Sequence, residues 1–346
     1  CNATSELGEL HEVQVNVTQT GGNWSGLAHG SDESYRLEVS SGGVASVVAP
    51  TASGAVHGLE TLAQLVKISF DGIVAICSAP LVIVDAPRFA WRGMMVDSSR
   101  HFLPVPLLLK MIDALSATKG NVLHWHFMDG QSFPMVSEQF PELAGKGSYS
   151  DEAVYTHADV ARVIEYARVR AVRVMPEFEV PAHSGWGYGN PDVVACPLWD
   201  VGDINHGDIQ ALKINSNATY KFLADFLAEM RTLFPPELGH WHMGGDEMFA
   251  ECLDQQPGLK SWMVTHNISD YNALQQYFTK RLRTDVLPKL GPQPPIVVWE
   301  ENSGLAIADS SIGADDIGQV YGGDASGIVK IVQGGRPAPT LNNNNN

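Results

Sequence analysis

Positive charge is scarce in this sequence. Its 346 residues carry 22 Lys and Arg against 39 Asp and Glu, a formal net charge of −17. No basic patch offsets that balance, which argues against a nucleic-acid partner. Long apolar runs are missing as well. The most apolar stretch, "LPVPLLLKMI" (103–112), is broken by Pro104, Pro106 and Lys110. It falls short of the roughly 20 residues that a membrane span needs. Cysteine is sparse, with only Cys1, Cys77, Cys196 and Cys252. None forms a C-x-x-C, so a zinc or redox motif is not expected. The chain starts at Cys1 with no visible signal peptide, which fits either a removed leader or a fragment.

What is present points to a soluble globular protein with a sizeable core and two domains, since 44% of the residues are hydrophobic. Five N-x-S/T sequons occur, at Asn2, Asn16, Asn23, Asn217 and Asn267. Together with an even cysteine count they favour a glycosylated protein of the secretory pathway, extracellular or lysosomal/vacuolar.

Residues 1–86 read as a small α+β domain. "YRLEVS" (35–40) and "VASVVAP" (44–50) suggest strands around a Ser-Gly-Gly turn. A helix follows, with Leu59, Leu62, Leu65 and Val66 expected on one face. "APLVIVDAPRF" (79–89) reads as a last strand and a stiff linker. From there the pattern changes. Strand candidates at 91–97, 121–129, 172–180, 240–247, 296–301 and 317–321 alternate with helices such as 106–119, 158–171, 218–234 and 269–287. This alternation predicts a parallel sheet. Polar or aromatic residues close almost every strand: Asp97 and Arg100, His126 and Asp129, Glu177 and Glu179, Asp246 and Glu247, Trp299. Such an edge is the working face of a (β/α)8 TIM barrel. The expected catalytic domain, 87–333, holds six such strands where a barrel needs eight. Residues 334–346 form a low-complexity tail.

"HWHMGGDEMF" (240–249) places Gly244 and Gly245 before the adjacent carboxylates Asp246 and Glu247. Neighbouring side chains on a regular strand point to opposite faces. The Gly pair can break that alternation and let both acids face one substrate. A solvated surface turn is the plain alternative. "NVLHWHFMDGQSFP" (121–134) adds His124, His126 and Asp129. "WRGMMVDSSRHFLP" adds Arg100, whose planar fork suits hydroxyl or carboxylate oxygens. "PEFEVPAHSGWG" adds His183 on a Gly-rich loop.

These stretches, with "HMGGDE" and "VVWEE" following in the same order, resemble the family 20 glycoside hydrolases, the β-N-acetylhexosaminidases. The resemblance covers roughly residues 35–321, and "YRLEVS…GAVHGLETLAQL" resembles that family's non-catalytic N-terminal domain. It implies that Glu247 is the general acid/base and that Asp246 orients and polarises the substrate's 2-acetamido group. The acetamido oxygen is then the nucleophile, the substrate-assisted exception to the two-carboxylate scheme. Asp246 should stay ionised beside the developing cation, and Glu247 should hold a proton. Asp129 and His183 match a pair that tunes the acid/base. Arg100 matches a residue that grips ring hydroxyls, and Trp299 one wall of the acetamido pocket. His126 reads as a structural neighbour. Tyr321 stands where the family usually has Trp. The same resemblance places a disulfide at Cys196 and Cys252, leaving Cys1 and Cys77 to pair, although four cysteines allow three connectivities.

No segment matches the family's seventh and eighth strands, so the 346 residues as given are expected to hydrolyse poorly while a complete parent is active. N-acetylhexosamine-containing glycans are the expected partners: chitooligosaccharides, glycoprotein or glycolipid glycans. A homodimer is compatible, and no cofactor or metal is expected. Two rivals remain. One is a metal-dependent barrel hydrolase built on His124, His126 and Asp246; the other is a non-catalytic sugar-binding fragment.

Overall fold

The computed structural model describes residues 8–19, 21, 26–68, 70, 72–183, 185–196, 210–235, 239–291, 295–300 and 316–320. Cys1, Asn2, Asn23, Tyr321 and the tail at 334–346 lie outside them. The chain divides into two compact units. One comprises Cys1–Met94, Leu108–Leu123 and Ile164–Val174; the other comprises Met95–Leu107, His124–Val163 and Met175–Asn346.

The first unit contains a four-stranded sheet of β1 (Glu12–Val17), β2 (Tyr35–Val39), β3 (Val44–Ala49) and, further along, Leu81–Asp85. β1 pairs parallel to β3, and β2 pairs antiparallel to its neighbours. Helix α1 (Ala52–Leu65) starts at Thr51, whose hydroxyl accepts the Gly54 N–H (3.2 Å) and fills one open helix-end donor. The buried face of this helix differs from the expected one. Leu62 is buried, but Leu59 is exposed and Val66 lies past the helix end. Small residues replace them against the sheet. A Cβ on Gly58 would come within 2.6 Å of Val47 Cγ1, and one on Gly54 within 2.4 Å of Ser34 O. The helix therefore lies too close to the strands for a leucine face. A short hairpin, β4 (Lys67–Ile68) and β5 (Val74–Ala75), precedes the last strand, β6 (Leu81–Asp85).

A second sheet then forms in sequential order from β7 (Gly93–Asp97), β8 (Val122–His126), β9 (Arg173–Glu177), β10 (Trp241–His242), β11 (Ile296–Glu300) and β12 (Ile317–Val320). Every recorded pairing from β9 to β12 is parallel. Between them run α2 (Val105–Ala117), α3 (Glu142–Gly147), α4 (His157–Arg168), α5 (Asn217–Leu233), α6 (Ala250–Leu253), α7 (Leu259–Thr265) and α8 (Tyr271–Arg281). Helices run between consecutive strands from β7 to β11, the strand–helix alternation expected from the sequence, and the parallel sheet holds six strands among the described residues. β8 and β9 are buried along their whole length, as strands covered on both faces are.

β10 is much shorter than the expected 240–247. The Met243 N–H still donates to Val297 O (2.8 Å), but Gly244 and Gly245 then take φ of 57° and 102°. That left-handed backbone ends the strand. Cys196 and Cys252 are bridged, and Cys77 is also disulfide-bonded. The sequon residues Asn16, Asn217 and Asn267 are all exposed. No helix among the described residues is long and apolar enough to cross a membrane.

Candidate active site

The side chains expected to carry chemistry converge at the C-terminal ends of β7 to β11, all within the second unit. Asp97 ends β7. Its Oδ1 accepts the backbone N–H groups of Ser99 and Arg100 (3.0 Å each), the local turn that aspartate favours. The loops after β7 and β8 are tied reciprocally. Ser99 Oγ donates to Ser132 O (2.7 Å), and Ser132 Oγ donates to Ser99 O (2.8 Å). Arg100 is thereby held among three oxygens. Its Nε donates to Gln131 Oε1 (3.0 Å), NH1 to Asp97 Oδ2 (3.0 Å), and NH2 lies 2.7 Å from Asp129 Oδ2.

Asp129 is wholly buried. Its other oxygen lies 3.3 Å from His183 Nδ1, and His183 Nε2 lies 2.7 Å from Glu247 Oε2. One chain of contacts thus runs Arg100–Asp129–His183–Glu247. His183 and Glu247 both sit at positive φ, 49° and 45°. Such strain at non-glycine residues gathers at functional sites. Gly185 lets the His183 loop press onto Asp129, because a Cβ there would meet Asp129 O at 2.5 Å. Burial works to raise the Asp129 pKa, but the His126 and His183 rings outweigh it and hold the carboxyl well below its ordinary range.

Asp246 faces the same cluster. Its Oδ1 is buried without a hydrogen-bond partner among the described residues. Burial pushes its pKa up to about 7; the charge of His183 opposes this, while Glu177 and Asp129 add to it. Burial thus favours the protonated form of Asp246 where no cation lies beside it. A cation bound beside it favours the charged form.

His124 and His126 share one face of β8, and Trp125 takes the other, donating from Nε1 to Ser98 Oγ (2.9 Å). His126 stands 3.5 Å from Asp97, 3.3 Å from Asp129 and 3.5 Å from Glu179. Burial opposes its charge, but Glu177, Asp129 and Asp97 prevail and raise its pKa to about 10. These carboxylates favour the charged form of the ring in the floor of the site. Asp97 in turn is drawn down to about 2: burial resists, and His126 and Arg100 dominate.

Three groups of this floor were not assigned a role from sequence: Glu177, Glu179 and His242. Glu177 ends β9 with no exposure at all. It accepts from Trp299 Nε1 (2.6 Å) and lies 2.8 Å from both His124 Nε2 and His242 Nδ1. A carboxylate inside the apolar run "VRVMPEFEV" was the available signal, since a buried charge requires partners. Those partners come from β8, β10 and β11, so one strand alone does not reveal them. Two sets of side chains have cation-ligand spacing: His124, Glu177 and His242, and His126, Glu177 and Glu179. Neither joins His124 with His126, the pair on which the metal-hydrolase rival rests, and neither includes Asp246, its possible further ligand. Trp299 is buried and stacks at a tilt on His242 (4.7 Å). Tyr321 lies outside the described residues.

Residues 89–317 match the family described as "Glycosyl hydrolase family 20, catalytic domain". The chain belongs to glycosyl hydrolase family 20. Residues 3–65 match a second family, described as "beta-acetyl hexosaminidase like". Among curated family-20 relatives, the human beta-hexosaminidase subunit beta is 40% identical over 279 residues, spanning 78% of this chain and 47% of the relative. Beta-hexosaminidase 1 of Arabidopsis thaliana is 38% identical, spanning 80% of this chain and 49% of the relative. A Flavobacterium johnsoniae chitobiase structure superposes with a TM-score of 0.79 at 30% identity, covering 94% of this chain and 48% of that one. A Vibrio harveyi exo-β-N-acetylglucosaminidase in complex with N-acetylglucosamine gives 0.74 at 25%, covering 94% and 50%. The chain spans about half the length of the curated relatives it matches.

Proposed function

We propose that the whole protein carrying this chain releases terminal, non-reducing β-linked N-acetylhexosamine (GlcNAc or GalNAc) from glycans by a retaining, substrate-assisted mechanism. The observation that carries this reading is the Arg100–Asp129–His183–Glu247 chain beside a part-buried Asp246 whose Oδ1 has no hydrogen-bond partner among the described residues. Two carboxylates opposed across a bond would serve an ordinary retaining or inverting hydrolase. Asp246 and Glu247 are adjacent on one turn, so the nucleophile must come from elsewhere.

In the first step Glu247 gives its proton to the glycosidic oxygen as the bond to the anomeric carbon breaks. The substrate's acetamido oxygen forms the new bond from the opposite face and creates an oxazolinium ion. Asp246 Oδ1 accepts the acetamido N–H and sets its carboxylate against the developing positive charge. In the second step water adds to the anomeric carbon and gives its proton to Glu247. The acetamide reopens, and two inversions yield net retention. Asp129 and His183 orient Glu247, Arg100 meets the ring hydroxyls, and Trp299 walls the acetamido methyl.

The domain limits follow the same reading: a non-catalytic N-terminal domain at 1–86 and a barrel catalytic domain at 87–333. The sequons favour the secretory pathway as its location. Chitooligosaccharide, glycoprotein and glycolipid glycans are all chemically suitable substrates. The test uses the whole protein and aryl β-glycosides followed by NMR. Hydrolysis of the GlcNAc glycoside should release the β-anomer first, and the matching glucoside, lacking the acetamide, should react at least about 10³-fold more slowly, as an absent nucleophile implies. Comparable rates on both, or release of the α-anomer, overturn the mechanism.

A further inference from the structure

We propose that Glu177 is the positioning residue of this site, holding Trp299 and the Gly244–Gly245 turn in register with each other. The proposal rests on the hexosaminidase reading for its consequence, but its geometry stands independently.

Glu177 has no exposed surface, so it cannot touch a sugar. Its two oxygens instead serve three separate strands. Oε1 accepts from the Trp299 indole N–H at 2.6 Å, from the next strand but one. His242 Nδ1 accepts the Gly244 backbone N–H at 3.0 Å, and that nitrogen also packs 2.8 Å from Oε1, a contact that is not a hydrogen bond while Nδ1 is the acceptor. Gly244 O in turn accepts the Trp299 backbone N–H at 2.9 Å. Trp299 thus joins Glu177 to Gly244, its indole N–H held by the one and its backbone N–H by the other, with His242 packed against both. Oε2 meets His124 Nε2 at 2.8 Å on the other side. The rings of His124 and His242 stack at 4.6 Å, so His242 is braced from β8 as well.

This arrangement joins the two halves of the acetamido pocket. Trp299 is one wall of it, and Asp246 leaves the same turn two residues after Gly244. A single buried anion sets the distance between them. Burial alone would neutralise Glu177, but His242, His124 and His126 hold it ionised, well below the ordinary carboxylate range. Donors aimed at a charged acceptor form the stronger class of hydrogen bond. Replacement by an amide keeps the volume and turns one acceptor into a donor, facing either an indole N–H or an imidazole.

The experiment compares Glu177→Gln, Trp299→Phe and the double variant in the whole protein, with a GlcNAc-thiazoline as the ligand that mimics the bound acetamide. Glu177→Gln should raise the thiazoline Kd by about 10–100-fold, the effect of losing a charge-assisted bond. Trp299→Phe removes the donor together with part of the indole wall and should weaken binding in the same sense. The two losses should not add in the double variant, because both break one contact. A structural role alone would not move the Trp299 indole N–H resonance, assigned by its loss in Trp299→Phe. That resonance should shift upfield in Glu177→Gln. Additive losses, or an unmoved resonance, overturn the proposal. Failure of the parent protein to bind thiazoline overturns the hexosaminidase reading instead, and the resonance still decides the Glu177–Trp299 link. If Glu177→Gln does not fold, Trp299→Phe must still weaken thiazoline binding in a protein that retains Glu177; unchanged Kd there overturns the proposal.

Discussion

Replacing Gly244 by alanine tests whether the turn before Asp246 and Glu247 is set by packing or only by backbone freedom. Both glycines have positive φ, so Ala at either position meets backbone strain of about 1–3 kcal/mol. Their surroundings differ. A Cβ on Gly244 would lie 1.8 Å from Glu179 Oε2 and 2.5 Å from its Cδ, whereas the nearest atoms to a Cβ on Gly245 are at 3.9 and 4.0 Å. Glu179 is itself buried, so it cannot simply swing into water. The clash adds about 1–3 kcal/mol, the usual cost of overpacking a core. Strain alone does not separate the two sites, but coupling to Glu179 does. In a double-mutant cycle by urea denaturation, Gly244→Ala and Glu179→Ala should couple by about 1–2 kcal/mol, with the truncation relieving the clash. The matching Gly245→Ala cycle should give less than about 0.5 kcal/mol, the additive limit for residues that share no contact. Equal coupling in the two cycles refutes the packing argument. A displaced turn also carries both acids with it, so Gly244→Ala should lower kcat/KM on an aryl GlcNAc glycoside by about 10²-fold, the effect of an ångström-scale misplacement.

Asp246 gives a signed pH effect. Its folded pKa near 7 lies above the ordinary value of 3.8, so the folded state keeps its proton longer than the unfolded chain. Its contribution is fully present below about pH 4 and falls away as pH rises through 7, by up to ~4 kcal/mol. Asp246→Asn should flatten that part of the urea-stability profile, and an unchanged wild-type-like slope would contradict it. The Cys196–Cys252 bridge spans 56 residues. Loop-closure entropy then predicts that the double serine variant loses about 4 kcal/mol, measurable by denaturation with and without reductant; a loss below about 1 kcal/mol would refute this.

Much of this site was readable because the chemistry falls at strand ends. Asp129, His183 and Glu247 lie on separate loops, yet each follows a recognisable apolar run. Position along a repeated strand–helix pattern therefore placed them together. Two kinds of feature were not readable. Helix α1 packs through Gly54 and Gly58, and periodicity of leucines cannot report how closely a helix approaches a sheet. Glu177 gained its meaning from His124, His242 and Trp299, which lie 53, 65 and 122 positions away in sequence. The charge on His126 was hidden for the same reason: one strand shows a histidine, while three carboxylates from elsewhere favour its charged form.

Those charges bear on what the site can stabilise. Arg100 and His126 face three carboxylates held low or surrounded by donors, Asp97, Asp129 and Glu177. Glu179 is driven toward its neutral form by burial, with Asp246 and Glu177 adding to that push. Glu177 and Asp129 oppose ionisation of Asp246 and add to the effect of burial, while His183 works against it. The field of the same two carboxylates favours a cation placed beside them, because the protein's charges are fixed before the reaction begins. On the mechanism proposed above, a neutral substrate would gain little from this field, whereas an oxazolinium would gain from Glu177, Asp129 and the ionised form of Asp246 that it favours. The preference for the charged intermediate over the bound sugar is the difference that accelerates a reaction. The adjacency of Asp246 and Glu247 fits that proposal: one acid would deliver a proton outward, and its neighbour would receive a positive charge beside carboxylates already placed to accept it.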